Sequence, residues 1–195
     1  MLIGLTGVFG SGKSTVLRML KRRGLATVSA DALVHRLLRR QAVKAEIRRR
    51  FGPGVFAGDE LDRKQLAALI FADRRRRKEL ERLLHPLVLE IILARAGREA
   101  ARGKALAAEV PLLFECGWEK YFDRIICVAA RPVTIRARLA AAGWPEAQVR
   151  RRLAGQWPLT RKAARSDLVV WNDAGFRKTA AQLEAGLPAL LAARK

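Results

Sequence analysis

"GVFGSGKST", residues 7–15, sets Gly7 and Gly12 on either side of four residues and then adds a lysine, a serine and a threonine. Ahead of it stands "LIGLT", residues 2–6, short and apolar enough for a buried strand. Behind it, "STVLRMLKRRG" brings Val16, Leu17 and Leu20 to one face of a helix that Gly24 is placed to stop. Strand, glycine-rich turn and helix in that order make a phosphate-binding loop. The glycines let the backbone curl until successive N–H groups face phosphate oxygens, and the helix N-terminus adds its partial positive charge. Gly10, Ser11, Gly12, Lys13, Ser14 and Thr15 then form the nucleotide-binding set. Lys13 is long enough to reach the β- and γ-phosphates, and the Ser14 hydroxyl is a ligand for Mg²⁺.

Further strands follow at "LATVS" (25–29), "KALAAEV" (104–110), "RIICVAA" (124–130) and "DLVVW" (167–171). Between the second and third of the five, from Asp31 to about Gly103, the pattern is helical, broken by "FGPGVFAGDELD" and by Pro86. A second helical excursion, opened by Pro132 and divided by "GWPE", runs from about 132 to 165, and an amphipathic helix closes the chain. Five short apolar strands alternating with helices predict an α/β fold with a parallel sheet and helices on both faces. The two helical excursions are expected to face the carboxyl ends of the strands, where such sheets take their ligands.

The 195 residues suit one domain and carry a formal net charge of +21, which asks for an anionic partner. The basic residues are scattered along helical stretches such as "RLLRRQAVKAEIRRR", with neither aromatic interleaving nor zinc-finger spacing. They read as solvated helix faces around a locally positive cleft rather than as a nucleic-acid surface. No apolar run approaches the ~20 residues of a membrane span, so no membrane partner is expected. The N-terminus reads as a first strand, not a secretory signal. Cys116 and Cys127 lie in apolar surroundings without metal-like spacing and are expected as buried, reduced thiols of a cytoplasmic protein.

A phosphate-binding loop alone leaves kinase, GTPase and ATPase open. The last strand gives "VVWNDAG" rather than a guanine-reading Asn-Lys-x-Asp, and no hydrophobic run ends in Asp-Glu. A short chain with two helical excursions over its sheet fits a small-molecule kinase. "GLTGVFGSGKST", "VSAD" with His35 four residues on, "FADRRRRKELERLLHP", "VPLLFE" and "SDLVVWN" then occur in the order seen in dephospho-CoA kinases, and from Leu2 to about Gly175 the chain resembles that family. The resemblance implies a single P-loop kinase domain over 1–195, with 32–103 as a helical acceptor-binding insert and 132–165 as a lid. It implies ATP-dependent phosphorylation of the ribose 3′-hydroxyl of dephospho-CoA with Mg²⁺, the last step of coenzyme A synthesis. Another nucleoside or nucleotide kinase, and a nucleic-acid-associated NTPase, are the alternatives.

Carried over residue by residue, the resemblance makes Asp31 the general base or acceptor-orienting carboxylate; its other reading is a helix N-cap. Ser29 stands where the family has a first aspartate. His35, His85, Leu112 and Leu113 fall to the acceptor, with core closure the competing role for the two leucines, and a packed helix junction the preferred role for Pro86. Arg138 is the lid arginine that approaches the transferring phosphoryl group. A second lid arginine is replaced by Ala142, with Arg136 and Arg161 as candidates for its role. Gln156, Lys162, Asp167 and Asn172 match the closing segment near the adenine end, Asp167 serving equally well as a strand terminus.

Overall fold

In the computed structural model, which describes residues 1–192, the chain divides into two compact units. One comprises Met1–Ser29 and the chain from Arg95 onward; the other is Ala30–Ala94. The helical stretch expected over 32–103 thus falls mostly in the second, with 95–103 belonging to the first.

The first unit is built on a five-stranded parallel sheet of β1 (Leu2–Thr6), β2 (Ala26–Ser29), β5 (Leu106–Glu109), β6 (Arg124–Ala129) and β7 (Leu168–Trp171), in the order β2-β5-β1-β6-β7. All residues of β1, β5 and β6 are buried, as they must be in a sheet covered on both faces. The pleat sends Ile3, Leu5, Ala107, Ile126, Val128 and Val170 to one face. There they pack with Val16, Met19 and Leu20 of α1 (Lys13–Arg22) and Leu183, Leu187 and Leu190 of α9 (Phe176–Ala192). Each fully buried aliphatic side chain here contributes roughly 1.5–3 kcal/mol of transfer free energy. Leu17 is only partly buried against this cluster, and Met19 takes the deep position expected of it.

Gly24 ends α1 as the sequence predicts. It adopts φ 88°, its N–H reaches the Lys21 carbonyl at 3.0 Å, and Leu25 N–H reaches back to Leu20 at 3.3 Å, the paired bonds of a Schellman turn. The stretch expected over 132–165 holds α6 (Pro132–Ala141), α7 (Glu146–Ala154) and α8 (Leu159–Ala164).

The second unit holds α2 (Ala30–Leu37), α3 (Gln41–Phe51), α4 (Arg63–Ala72) and most of α5 (Arg74–Ala100). Asp62 caps α4 by accepting from Lys64 N–H at 2.8 Å, and Asp73 accepts from Arg75 N–H at 2.7 Å as α5 begins. Two expectations are corrected here. "FGPGVFAGDELD" is not a plain break but a 3₁₀ turn and a two-stranded hairpin, β3 (Phe56–Ala57) and β4 (Glu60–Leu61). And Pro86 neither breaks α5 nor packs a junction: it is exposed within one continuous 27-residue helix. Proline removes one rung at a cost of ~3 kcal/mol, which burial of Leu80, Leu84, Val88 and Ile92 along one stripe offsets.

The other face of β1 is packed as tightly as the first. A Cβ placed on Gly4 would stand 2.4 Å from Leu113 Cδ1 and 3.1 Å from the Phe122 ring. Gly4→Ala is therefore expected to cost about 1–3 kcal/mol by overpacking, lowering Tm by roughly 2–4 °C for each kcal/mol in a chain of this size. Scanning calorimetry checks this, and an unchanged Tm would contradict the packing.

Candidate functional site: the phosphate loop and its neighbours

Thr6 ends β1 and the chain turns through Gly7–Gly12 into α1. Gly12 occupies the N-cap position with φ 90°, and a Cβ there would lie 2.0 Å from Asn172 Nδ2. Both the left-handed backbone and the approach of Asn172 therefore require glycine. Asn172 follows β7 directly. Its Nδ2 donates to the Ser11 carbonyl at 3.0 Å, its own N–H donates to Ala129 at 2.8 Å, and its Oδ1 accepts from Thr179 Oγ1 at 3.1 Å. The nucleotide-binding assignment of Asn172 thus falls on a buried residue that shapes the loop.

Lys13 is buried, and its ammonium donates to the Val8 and Gly7 carbonyls at 3.0 and 3.2 Å, bracing the loop with a positive charge inside it. Arg138 of α6 donates from Nη2 to the Asn172 carbonyl at 2.5 Å. Among the described residues its buried Nη1 has no hydrogen-bond partner, and it lies 3.6 Å from the Cβ position of Gly12. The Ser11 hydroxyl, buried in the same loop, is likewise unpartnered among the described residues. A curled backbone, a helix N-terminus and unpaired buried donors make a ready receptor for phosphate oxygens, so the residues present fit a nucleoside triphosphate. Thr15 stands in the first turn of α1, half-buried.

Ser14 Oγ donates to Glu109 Oε1 at 3.1 Å. Glu109, buried at the end of β5, pairs in register with Leu5 of β1 and Ser29 of β2. Two hard oxygen groups side by side suit Mg²⁺, which supports the placement of a cation at Ser14. Sequence reasoning passed over Glu109. The available signal was an acid at the C-terminal end of an otherwise apolar strand, "LAAE".

The loop is held on its other flank by apolar and aromatic contacts. Val8 packs with Ala130, Ile135, Leu139 and Val149. Phe9 meets Trp144 edge-on at 5.1 Å, with the Arg152 guanidinium over both rings at 5.0 and 4.6 Å. Phe9 N–H donates to Gln156 Oε1 at 2.8 Å. Gln156 therefore meets the phosphate loop, while Asp167 closes a strand end, exchanging bonds with Ile125 at 2.7 and 2.9 Å. Arg136 is exposed on α6, and Arg161 lies over the Trp157 ring at 3.5 Å.

Of the two leucines after β5, Leu113 is fully buried under β1, the core role, whereas Leu112 is partly exposed. Cys127 is buried as expected and Cys116 only partly. Burial pushes the Cys127 thiol up to about 11, against the opposing influence of the Lys162 and Lys13 ammonium groups.

In the second unit, Asp31 is exposed in the first turn of α2, two residues beyond the end of β2, and does not serve as the N-cap. Among the described residues its carboxylate has no hydrogen-bond or ion-pair partner. His35 is exposed one turn later on the same helix. His85 is partly buried on α5. Burial holds its imidazole below the ordinary value, aided by Arg77 and opposed by Glu81. Among the described residues, no helix is long and apolar enough to cross a membrane.

Comparison with known proteins agrees with this geometry. The family model for dephospho-CoA kinase matches residues 1–178. A dephospho-CoA kinase of Symbiobacterium thermophilum is 41% identical over 188 residues, covering 94% of this chain and 79% of the relative. A crystal structure from Thermus thermophilus superposes with a TM-score of 0.87 at 34% identity, covering 99% of this chain and 98% of that one. The dephospho-CoA kinase of Campylobacter jejuni shares the fold, with a TM-score of 0.72 at 22% identity over 96% of this chain and 95% of its own. With a parallel sheet in P-loop kinase order, a glycine loop built to take phosphates and a family match over most of its length, the chain belongs to the dephospho-CoA kinase family.

Proposed function

We propose that the protein transfers the γ-phosphoryl group of ATP to the ribose 3′-hydroxyl of dephospho-CoA, giving coenzyme A and ADP. The observation that carries this reading is the Arg138 guanidinium, held at the N-terminus of α1 with one buried nitrogen unpaired among the described residues, in a chain of this family. The loop N–H groups and Lys13 hold the β- and γ-phosphates, and Arg138 neutralises charge gathering on the equatorial oxygens during transfer. Mg²⁺ bound with the nucleotide would be held by the Ser14 hydroxyl with Glu109 beside it, and would supply positive charge to offset that of the phosphates. Asp31 orients the acceptor hydroxyl and takes its proton; its exposure and lack of partners leave it available for that work.

Residues 32–103 serve as the acceptor-binding insert, with His35, His85 and Leu112 as its contacts, and 132–165 as the lid. The lid segment also accounts for part of the basic charge. Residues 132–165 hold eight Lys and Arg against one acid, Glu146, and both substrates are polyanions that such a field draws in.

Incubation with Mg-ATP and dephospho-CoA is expected to give a product heavier by one phosphoryl group, with ADP release that RNA and DNA do not stimulate. Better turnover of AMP, adenosine or shikimate would overturn the assignment. For Lys13→Ala, kcat is expected to fall at least about a hundredfold while Mg-ATP affinity changes by less than about tenfold, because the ammonium acts most on charge that develops during transfer. Steady-state kinetics beside equilibrium nucleotide binding separate the two.

Asp31→Asn keeps size and polarity, loses basicity, and gives up only the ~0.3–1 kcal/mol of a first-turn charge on the helix dipole. Its kcat is expected to drop by at least about a hundredfold with ATP affinity and Tm little changed. A near-normal kcat would leave Asp31 as a first-turn acid and nothing more.

A further inference from the structure

Lys162 on α8 is, among the described residues, the one charged side chain with no solvent exposure at all. Its ammonium donates to the Pro111 carbonyl at 2.6 Å and faces both oxygens of Glu115, Oε1 at 2.8 Å and Oε2 at 3.2 Å. A backbone carbonyl and a carboxylate thus surround the ammonium, the condition under which a buried charge is tolerated. The same Glu115 carboxylate accepts from Trp157 N–H at 2.7 Å, and the Trp157 ring stacks parallel to Phe114 at 5.7 Å. The Pro111 carbonyl also accepts from Thr6 Oγ1 at 3.3 Å, at the end of β1.

Two loops meet in this one short segment. Gln156 takes the Phe9 N–H of the phosphate loop, and six residues later Lys162 takes the loop that follows β5. That second loop leaves the sheet at Glu109, the partner of Ser14, and Pro111 is the second residue beyond it. Pro111 has no N–H, so its carbonyl is the one backbone polar group by which it can be held. A methionine would fill the Lys162 site without the desolvation cost of a charge. A buried ion pair here is therefore better explained by the geometry it imposes than by stability.

We propose that Lys162, paired with Glu115, is a positioning residue for phosphoryl transfer. It locks the Pro111–Glu115 loop against the segment that carries Gln156, so that the Glu109–Ser14 pair and Leu112 stand in fixed relation to the phosphate loop. The proposal rests on the kinase reading above.

The test is Lys162→Met, with wild type alongside. Expected are a loss of kcat and a rise in KM for dephospho-CoA, each of roughly tenfold or more, as for other residues that orient a site from behind. The Kd for a fluorescent ATP analogue should stay within about threefold and the circular dichroism spectrum should match wild type. A merely structural lysine would reduce the active fraction and leave both KM values unchanged. Should the Met variant fail to fold, Glu115→Gln is read in its place. It keeps the shape and the Trp157 bond but removes the charge, and the same split is expected.

An active wild type beside a folded variant with unchanged kcat and KM overturns the positioning role alone. A kcat loss with both KM values unchanged does the same. A wild type that transfers nothing to dephospho-CoA overturns the kinase reading and this role with it.

Discussion

Asn172, through its side chain and its backbone, joins four parts of this molecule. Its amide nitrogen carries the Ser11 carbonyl, its amide oxygen takes the Thr179 hydroxyl from α9, its N–H continues the ladder from β6, and its carbonyl receives Arg138. One buried residue therefore ties the phosphate loop to the last strand, to α9 and to α6. The constraint runs backwards into the sequence: Gly12 must lack a side chain because Asn172 stands where its Cβ would be. Phosphate-loop geometry, often discussed as a property of the glycines, is here set from the far end of the sheet.

Two of the buried cations follow a common plan. Lys13 and Lys162 both point at backbone carbonyls, Gly7 and Val8 for the first and Pro111 for the second, and both influence the Cys127 thiol of β6. Each pins a loop at the carboxyl edge of the sheet. The exposed arginines serve differently. Arg152 and Arg161 lie over aromatic rings, where a planar, weakly hydrated guanidinium gains from stacking as well as charge. Much of the +21 charge is thus accommodated by helix faces and ring surfaces without requiring a polynucleotide partner.

Several features were legible from the residues, each for a local reason. Gly24 stops α1 because a residue with φ near 90° closes the paired bonds of that turn, and glycine pays no steric penalty there. Pro132 opens α6 because the first helical position needs no N–H. Pro86 misled for the same kind of reason. Its local preference against a helix interior is real, yet a stripe of buried leucine, valine and isoleucine along α5 outweighs one missing bond. Asp31 looked like a cap but lies in the first turn, a shift of the helix boundary that no pattern of polar residues distinguishes. Leu112 and Leu113 are chemically identical neighbours, and only packing under Gly4 and Phe122 assigned the second to the core.

The sequence by itself determined the strand–glycine loop–helix unit, the parallel α/β class and the family, because these depend on residues a few positions apart. Tertiary structure alone decided what stands beside that loop. Glu109 meets Ser14 across 95 positions, Gln156 meets Phe9 across 147, and Asn172 meets Ser11 across 161. Those pairings follow from the strand order β2-β5-β1-β6-β7, which sets β5 and β6 on either side of β1 and β7 next to β6. Periodicity reports which face of an element is buried, not which element it will lie against, and so the loop could be read in the chain while its partners could not.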